Sequence, residues 1–285
     1  MKTFENNTKA NDKQRKIFDL KDFGFGALDI SEDAEFLITS MDNLFAVDAI
    51  KAIKGRAINS LQLSSGKSVL ELGCGLGEDA ESIGKLVGET GHVIALDASE
   101  LMISEAKIRS KAKQVQYVVG NANQLDYADD TFDACHIDRL LVSQKIPKQV
   151  LKESIRTLKK GGRISVTDCD FGSIVIHPYN AEIIPILIKQ LQDIIENPLM
   201  GRQLHALFKE SGFVDVSIMP EPYILRSFKQ LCSMLDIPRV LNDICQQGKL
   251  TRKMADELLQ SFQKADEEDN FLYGITFFTA YGRKP

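Results

Sequence analysis

The sequence predicts an α/β fold in which seven strands form a mostly parallel, doubly wound sheet, with helices on both faces and a helical lid. Short apolar runs alternate with segments of helical periodicity along most of the chain, as in repeated βαβ units. The run VLELGCGLGED at residues 69–79 breaks into a glycine-rich turn, and HVIALDAS at residues 92–99 has an acidic residue where its apolar part ends. Both patterns are typical of a ligand site at the carboxyl edge of a parallel sheet.

The first strand is predicted at residues 68–72, after a helix over residues 41–61 whose apolar side chains recur at helical spacing. Strand-like runs and helical patterns then alternate, and the predicted helices include 99–113 and 147–160. The remaining strands are predicted at 92–97, 115–119, 132–137, 162–168, 214–219 and 272–281.

The domain organisation follows from the same pattern. Residues 1–40 are predicted to form an N-terminal extension that is partly flexible, because its first part is polar, and residues 41–285 form the ligand-binding domain. Insertions near 171–200 and 223–269 contain helical patterns that the sheet does not need. We interpret them as a lid over the substrate. A purely structural role or a dimer surface is the alternative.

The composition favours a cytoplasmic enzyme. A net charge of −5 gives the chain no electrostatic attraction for nucleic acid. The five cysteines are scattered without a C-x-x-C pair, which favours a reducing compartment. The N-terminal residues lack the apolar run of a signal peptide, and no stretch is apolar enough to span a bilayer.

The spacing of the glycines narrows the choice of cofactor. Gly73, Gly75 and Gly77 alternate, whereas a dinucleotide fingerprint has its third glycine one residue later, where Glu78 stands here. Glu71, two residues before the first glycine, is also unlike the NAD pattern. An NAD-dependent oxidoreductase is therefore disfavoured.

The run E-x-G-x-G-x-G resembles the first motif of S-adenosylmethionine (SAM) dependent methyltransferases with a Rossmann-like fold. The resemblance implies that the glycine turn, with Cys74, lets the backbone approach the amino-acid end of SAM. It also implies that Glu71 faces the cofactor's ammonium and that Asp97 accepts the ribose hydroxyls. Ala98 and Met102 follow Asp97 and are included among the predicted cofactor contacts. A plain tight turn, with Asp97 as a helix cap, is the alternative.

Residues 115–144 resemble the ubiquinone/menaquinone-type methyltransferases, which have G-D-A after the third strand. Gly120, Asn121 and Ala122 match that triplet except at the middle position. The family's aspartate receives the adenine amino group, and Asn121 can accept it through its amide oxygen. Residues 158–168 and the C-terminal FFTAYGRKP extend the resemblance, which implies a last strand antiparallel to the others.

A closer resemblance, to a group of bacterial small-molecule methyltransferases, lies in IDRLL at 137–141 and VTDCDFGSIVI at 166–176. It implies that Asp138 and Arg139 lie where the fourth strand opens toward the methyl group. A local ion pair that fixes the loop is the alternative for these two residues. The group commonly has a histidine shortly after the arginine, where this chain has Ser143.

Methyl transfer from a sulfonium is an in-line displacement that needs positioning and exclusion of water, and a base only for an acidic acceptor. Asp170 and His177 lie just beyond the fifth predicted strand and are candidate bases beside Arg139. A loop-ordering role for Asp170 and a segment boundary at His177 are the alternatives. One close pair of aspartates, Asp168 and Asp170, is too weak a pattern to predict a metal.

We therefore predict a SAM-dependent methyltransferase that acts on a small molecule, with oxygen or carbon as the preferred acceptor atom. We expect no nucleic-acid partner and no membrane span, and we leave a homodimer open. The alternative is a SAM-binding regulatory or assembly protein without transfer activity, since the sequence shows no obvious base and has Asn121 where the family has an acid.

Overall fold

The computed structural model describes residues 34–285. The predicted flexibility of the N-terminal extension therefore falls largely outside the described residues. The chain enters through α1 (Ala34–Phe45) and α2 (Asp48–Ser60), so the single helix predicted over residues 41–61 is wrong. Val47 is extended, with φ −75° and ψ 124°, and this interrupts the helix. The break lets Phe45 pack on Leu76 and Met102 while α2 buries Ile50 and Ile53 elsewhere.

The strands are β1 (Ser68–Leu72), β2 (His92–Asp97), β3 (Val115–Val119), β4 (Phe132–Asp138), β5 (Leu158–His177), β6 (Val214–Leu225) and β7 (Leu272–Arg283). These seven strands form one sheet in the order β3-β2-β1-β4-β5-β7-β6. β1 pairs in parallel with β2 and β4, β2 with β3, and β4 with β5, whereas β7 is antiparallel to both β5 and β6. This confirms the predicted fold class.

The remaining helices are α3 (Glu78–Val87), α4 (Glu100–Arg109), α5 (Pro147–Thr157), α6 (Ile184–Asp193), α7 (Met200–Glu210), α8 (Phe228–Leu235), α9 (Ile237–Gln246) and α10 (Arg252–Glu267). Several of them begin at conventional capping signals. Ser99 accepts a hydrogen bond from the amide of Met102 at the start of α4, and Thr251 does the same for Met254 at the start of α10. α5 and α9 carry proline in their first turn.

β5 and β6 are longer than predicted. β5 continues past Asp170 to His177, with a register shift between Asp170 and Val175, because β7 offers a long antiparallel partner. The extended part of the sheet carries its own apolar core, to which α6, α8, α9 and α10 contribute side chains such as Leu187, Leu241 and Phe262. Part of the first predicted insertion is therefore strand. The helices α6 and α8–α10 pack against this extended part of the sheet, away from β1, β2 and β3.

None of the helices between residues 34 and 285 combines the length and the apolar character that crossing a membrane requires.

Candidate functional site

A cavity of about 290 Å³ lies at the carboxyl edge of β1, β2 and β4. Ten of the predicted site residues line it, and α1, α2 and the turn after β4 provide most of the remaining wall. The lining residues are Met41, Phe45, Lys54, Glu71, Gly73, Cys74, Gly75, Glu78, Asp79, Leu96, Asp97, Ala98, Met102, Gly120, Ala122, Asp138, Arg139, Leu140, Ser143 and Gln144.

The glycine turn after β1 forms the floor of this cavity. Its alternating glycines all have positive φ, 74° at Gly73, 50° at Gly75 and 83° at Gly77, a region that other residues rarely adopt. A Cβ on Gly77 would lie 2.6 Å from the hydroxyl oxygen of Tyr117, so no side chain fits there. Gly77 is the N-cap residue of α3 and does not itself line the cavity.

Asp97 at the end of β2 connects two of the loops that line the cavity. Its Oδ2 accepts from the amide of Gly75 at 2.9 Å, and its Oδ1 accepts from the amide of Ser99 at 3.0 Å. The N-cap of α4 is Ser99, so Asp97 is not the helix cap that the alternative reading expected. Because each carboxylate oxygen can accept more than one hydrogen bond, Asp97 can also receive hydroxyl donors from a ligand.

Glu71 at the end of β1 is a buried acid without a full set of partners. Its side chain lines the cavity although the residue is only 3 % exposed, and Oε2 has no hydrogen-bond partner among the described residues. Burial raises the pKa of Glu71 well above its ordinary value, and the nearby Asp79 adds to the rise. An orphaned buried acceptor at a cavity wall is where a cationic ligand group would bind.

Lys54 of α2 is a charged residue of the site that the sequence motifs do not indicate. Its ammonium donates to Asp79 Oδ2 at 2.6 Å and lies 2.9 Å from Asp138 Oδ2, above the ring of Phe45 at 4.4 Å. Burial would lower the pKa of Lys54, but Asp138 and Asp79 outweigh it and raise the pKa. The helical spacing could have indicated that Lys54 is buried, since it lies four residues from both Ile50 and Ile58 on the buried face of α2.

Arg139 follows β4 and forms an ion pair with its neighbour. Its Nη2 and Nε donate to Asp138 Oδ2 at 2.7 and 3.0 Å, and its guanidinium carbon is 5.1 Å from the ring centre of Phe45. Burial would raise the pKa of Asp138, but Arg139 and Lys54 hold it well below its usual range. The local ion pair that the sequence left as an alternative is thus present, and Arg139 also lines the cavity.

Three other predicted site residues lie away from this cavity. Asp170 is buried and accepts from Arg202 Nη2 at 2.9 Å and from the amide of Gly172 at 2.8 Å. His177 is exposed at the end of β5. Asn121 is exposed as well, and its Oδ1 accepts from the amide of Asn123 at 2.8 Å. The expected grouping of Arg139, Asp170 and His177 around one pocket is not seen.

Glu71, Asp79 and His136 could each offer one metal-ligand atom, all within 4.8 Å of one another. The Asp79 oxygen nearest His136, however, is the one that accepts the Lys54 ammonium at 2.6 Å. A cation is therefore already present at the position that a metal would share.

Comparison with known proteins identifies the class of this domain. Residues 63–255 match a family model described as a methyltransferase domain. The chain belongs to this family, and the domain is a SAM-dependent methyltransferase. The predicted family and cofactor are thereby confirmed.

Several relatives are similar to parts of the chain. The demethylmenaquinone methyltransferase of Halalkalibacterium halodurans is 31 % identical over 198 residues, which cover 63 % of this chain and 81 % of that protein. That of Lactococcus lactis is 32 % identical over 170 residues, 53 % of this chain and 68 % of that protein. An uncharacterised protein of a Streptomyces fradiae transposon is 29 % identical over 71 % of this chain, which spans only 59 % of that relative's length.

Solved structures share the fold at lower identity. The YcgJ protein of Bacillus subtilis superposes with a TM-score of 0.60 and 14 % identity over 82 % of this chain and 98 % of that one. Phosphoethanolamine N-methyltransferase 2 of Haemonchus contortus, solved in complex with SAM, gives a TM-score of 0.55 and 19 % identity over 93 % of this chain and 60 % of that one.

The described residues fit the cofactor of this class. The unpartnered oxygen of Glu71 suits the ammonium of SAM, and Asp97 can accept ribose hydroxyls. The positive-φ glycines keep the backbone at Gly73 and Gly75 free of side chains beside the cavity.

Replacing Lys54 with methionine tests the charged cluster. We expect Lys54→Met to lower the free energy of unfolding by about 3 kcal/mol, because Asp79 is left buried without its cation. The double variant Lys54→Met/Asp79→Asn should recover part of that loss, because it removes the unpaired charge. Urea unfolding of both variants measures the effect. Equal stability of the single variant and the unmodified protein would contradict the pairing.

Asp97→Ala tests the ribose contact. We expect SAM and its demethylated product to bind the unmodified protein and NAD not to bind, as measured by titration calorimetry. Asp97→Ala should weaken SAM by about 1.5–3 kcal/mol, because charge-assisted hydrogen bonds to the hydroxyls are lost. Asp97→Asn keeps one acceptor oxygen and should lose less. Unchanged affinity in a folded Asp97→Ala protein would remove this role.

Proposed function

We propose that the domain transfers the methyl group of SAM to an oxygen or carbon atom of a small-molecule acceptor. The observation that supports this most is the acidic wall of the cavity, where Glu71, Asp97 and Asp138 meet at the ends of neighbouring strands. A wall of carboxylates suits a cofactor with two positive groups, its ammonium and its sulfonium. The curated relatives named as demethylmenaquinone methyltransferases support a small-molecule acceptor.

Each side of the cavity has a role in this proposal. Bound SAM supplies an activated methyl group on its sulfonium. Glu71 holds the ammonium, the turn at Gly73 and Gly75 supports the amino-acid end, and Asp97 holds the ribose. Ala122 and Met102 pack beside the adenine, since both are buried and line the cavity. Asn121 lies outside the cavity lining, so we assign the adenine contact to these two residues and the neighbouring backbone.

The acceptor side is formed by the turn after β4 and by α1. Arg139, Ser143 and Gln144 line the cavity on this side and can donate hydrogen bonds to an acceptor oxygen. Phe45 and Met41 of α1 cover the same cavity with apolar surface, which excludes water around the reacting atoms. We propose that α1 and α2 act as the lid and that the helical layer of α6 and α8–α10 supports it, since α1 packs against α8. A cytoplasmic protein acting without a nucleic-acid partner, alone or as a homodimer, is part of this proposal.

A silent SAM-binding protein is the second candidate. It is favoured because no histidine is among the residues between 34 and 285 that line the cavity, and because Asp170 and His177 lie outside it. Incubation of the purified full chain with SAM and a metabolite extract separates the two. The proposal predicts that at least one metabolite gains a methylene in mass. SAM binding with no such gain from any extract would favour the silent protein.

Arg139→Ala tests the acceptor side. We expect turnover to fall by roughly ten- to a hundredfold while SAM affinity changes little, because the guanidinium is proposed to act on the acceptor. Arg202→Ala is the matched control, since Arg202 pairs with Asp170 away from the cavity. It should lower thermal stability and leave SAM affinity unchanged. Equal losses of turnover and SAM affinity in Arg139→Ala would assign Arg139 to the cofactor loop through Asp138.

A further inference from the structure

Glu71 differs from Asp79, Asp97 and Asp138 in that one of its carboxylate oxygens is buried without a hydrogen-bond partner among the described residues. Asp79 and Asp138 share the ammonium of Lys54 at 2.6 and 2.9 Å, and Asp138 also accepts from Arg139. Asp97 accepts two backbone amides. Glu71 is 3 % exposed, and its Oε2 has no hydrogen-bond partner among the described residues.

The charges around Glu71 are mostly negative. Titratable or charged groups from several neighbouring elements surround the end of β1. Lys54 and Arg139 are the cations among them, and both are already taken up by Asp79 and Asp138. The groups are Lys54 from α2, Cys74 from the glycine turn, Asp79 from α3, Asp97 from β2, Tyr117 from β3, His136 and Asp138 from β4, and Arg139 just after β4.

An ionised Glu71 would thus be a buried charge among other anions, a costly arrangement. A proton on the carboxyl removes that cost when the cavity holds no cofactor. The rise in the pKa of Glu71, caused first by burial and then by Asp79, points the same way. An ammonium placed beside Glu71 has the opposite effect, because an opposite charge at contact distance favours the carboxylate.

We propose that Glu71 carries a proton in the cofactor-free domain and releases it to solvent when the ammonium of SAM reaches the carboxyl group. Cofactor binding is then a proton exchange in which the ligand's cation replaces a proton on the protein. The balance is one carboxylic acid converted to one carboxylate, with the proton taken up by the buffer. This inference rests on the position of the SAM ammonium in the proposed function, but it requires SAM binding alone and no acceptor.

Titration calorimetry of the full chain with SAM tests the exchange. The experiment is done at about pH 7 in phosphate and in Tris, whose ionisation enthalpies differ. Proton release makes the observed binding enthalpy depend on the ionisation enthalpy of the buffer. The slope of the first against the second gives the number of protons released, which should approach one. SAM affinity should also rise with pH, by up to about tenfold per pH unit, where Glu71 is protonated in the free domain.

Two controls assign the proton. Glu71→Gln cannot release one, so its binding enthalpy should be the same in both buffers. Glu78→Gln should keep the release, because Glu78 lines the same cavity but is an exposed residue of α3. The ligand 5′-methylthioadenosine has the adenosine and sulfur of SAM without the ammonium, and it should bind the unmodified protein without proton release. Buffer-independent enthalpy in the unmodified protein, or release that persists in Glu71→Gln, overturns the proposal.

Stability without cofactor gives a second measurement. When the pKa of a glutamate is higher in the folded state than its ordinary value of about 4.3, the group lowers stability at pH values above that ordinary pKa. The loss grows with pH until the folded-state pKa is reached. Glu71→Gln should therefore raise the midpoint of thermal unfolding at neutral pH, and the gain should vanish near pH 4. A destabilisation of the same size at both pH values overturns the proposal. Proton release with no methylated product in the metabolite screen would instead contradict the proposed function alone.

Discussion

The ammonium of Lys54, held between two buried carboxylates, is the interaction on which the cavity depends. It joins α2 to the start of α3 through Asp79 and to the end of β4 through Asp138. Phe45 from α1 lies against both this ammonium and the guanidinium of Arg139. One cation thus connects the N-terminal helices to the edge of the sheet. Because a buried ion pair is costly to break by removing one partner, the cover over the cavity and its acidic wall are stabilised together.

The fold explains why the acids meet there. β1, β2 and β4 are adjacent and parallel, so Glu71, Asp97 and Asp138 are brought to one edge by strand register alone. The glycine turn then brings α3 close to that edge, which places Asp79 beside Glu71. Concentrated negative charge is unfavourable in an empty cavity and favourable to a cationic ligand. Lys54 and Arg139 reduce this cost for Asp79 and Asp138, and two backbone amides reduce it for Asp97. In our proposal, a proton reduces it for Glu71.

Much of the part of the sheet that lines the cavity could be predicted from sequence, because its strands and turns are specified by short, local sequence patterns. The boundaries of β1, β2 and β3 agree with prediction, and the alternating glycines and Asp97 lie where strand ends and turns were expected. Lys54 and Phe45 could not be placed in this way, since their role depends on how α1 and α2 pack against the sheet. Helical periodicity in a sequence indicates which face of a helix is buried, but it does not indicate which other element that face packs against.

The less successful predictions have physical reasons as well. The position of Asn121 in the family triplet predicts a contact with adenine. A short polar side chain in a turn can instead form a local hydrogen bond, and the Oδ1 of Asn121 accepts one from the amide of Asn123. The position of Asp170 after the fifth predicted strand makes it a candidate base. In the fold it is paired with Arg202 of α7, which lies thirty-two residues further along the chain. The extension of β5 to His177 depends on β7, whose pairing no local pattern reports.

The central claim is that the acids around Lys54 form the site for the amino-acid end of SAM. A crystal structure of the full chain with the demethylated product tests it most directly. We expect the ligand's ammonium within hydrogen-bond distance of Glu71, its ribose hydroxyls on Asp97, and Lys54 still bound to Asp79 and Asp138. A product whose ammonium lies away from Glu71, or whose binding displaces Lys54 from both aspartates, would contradict it.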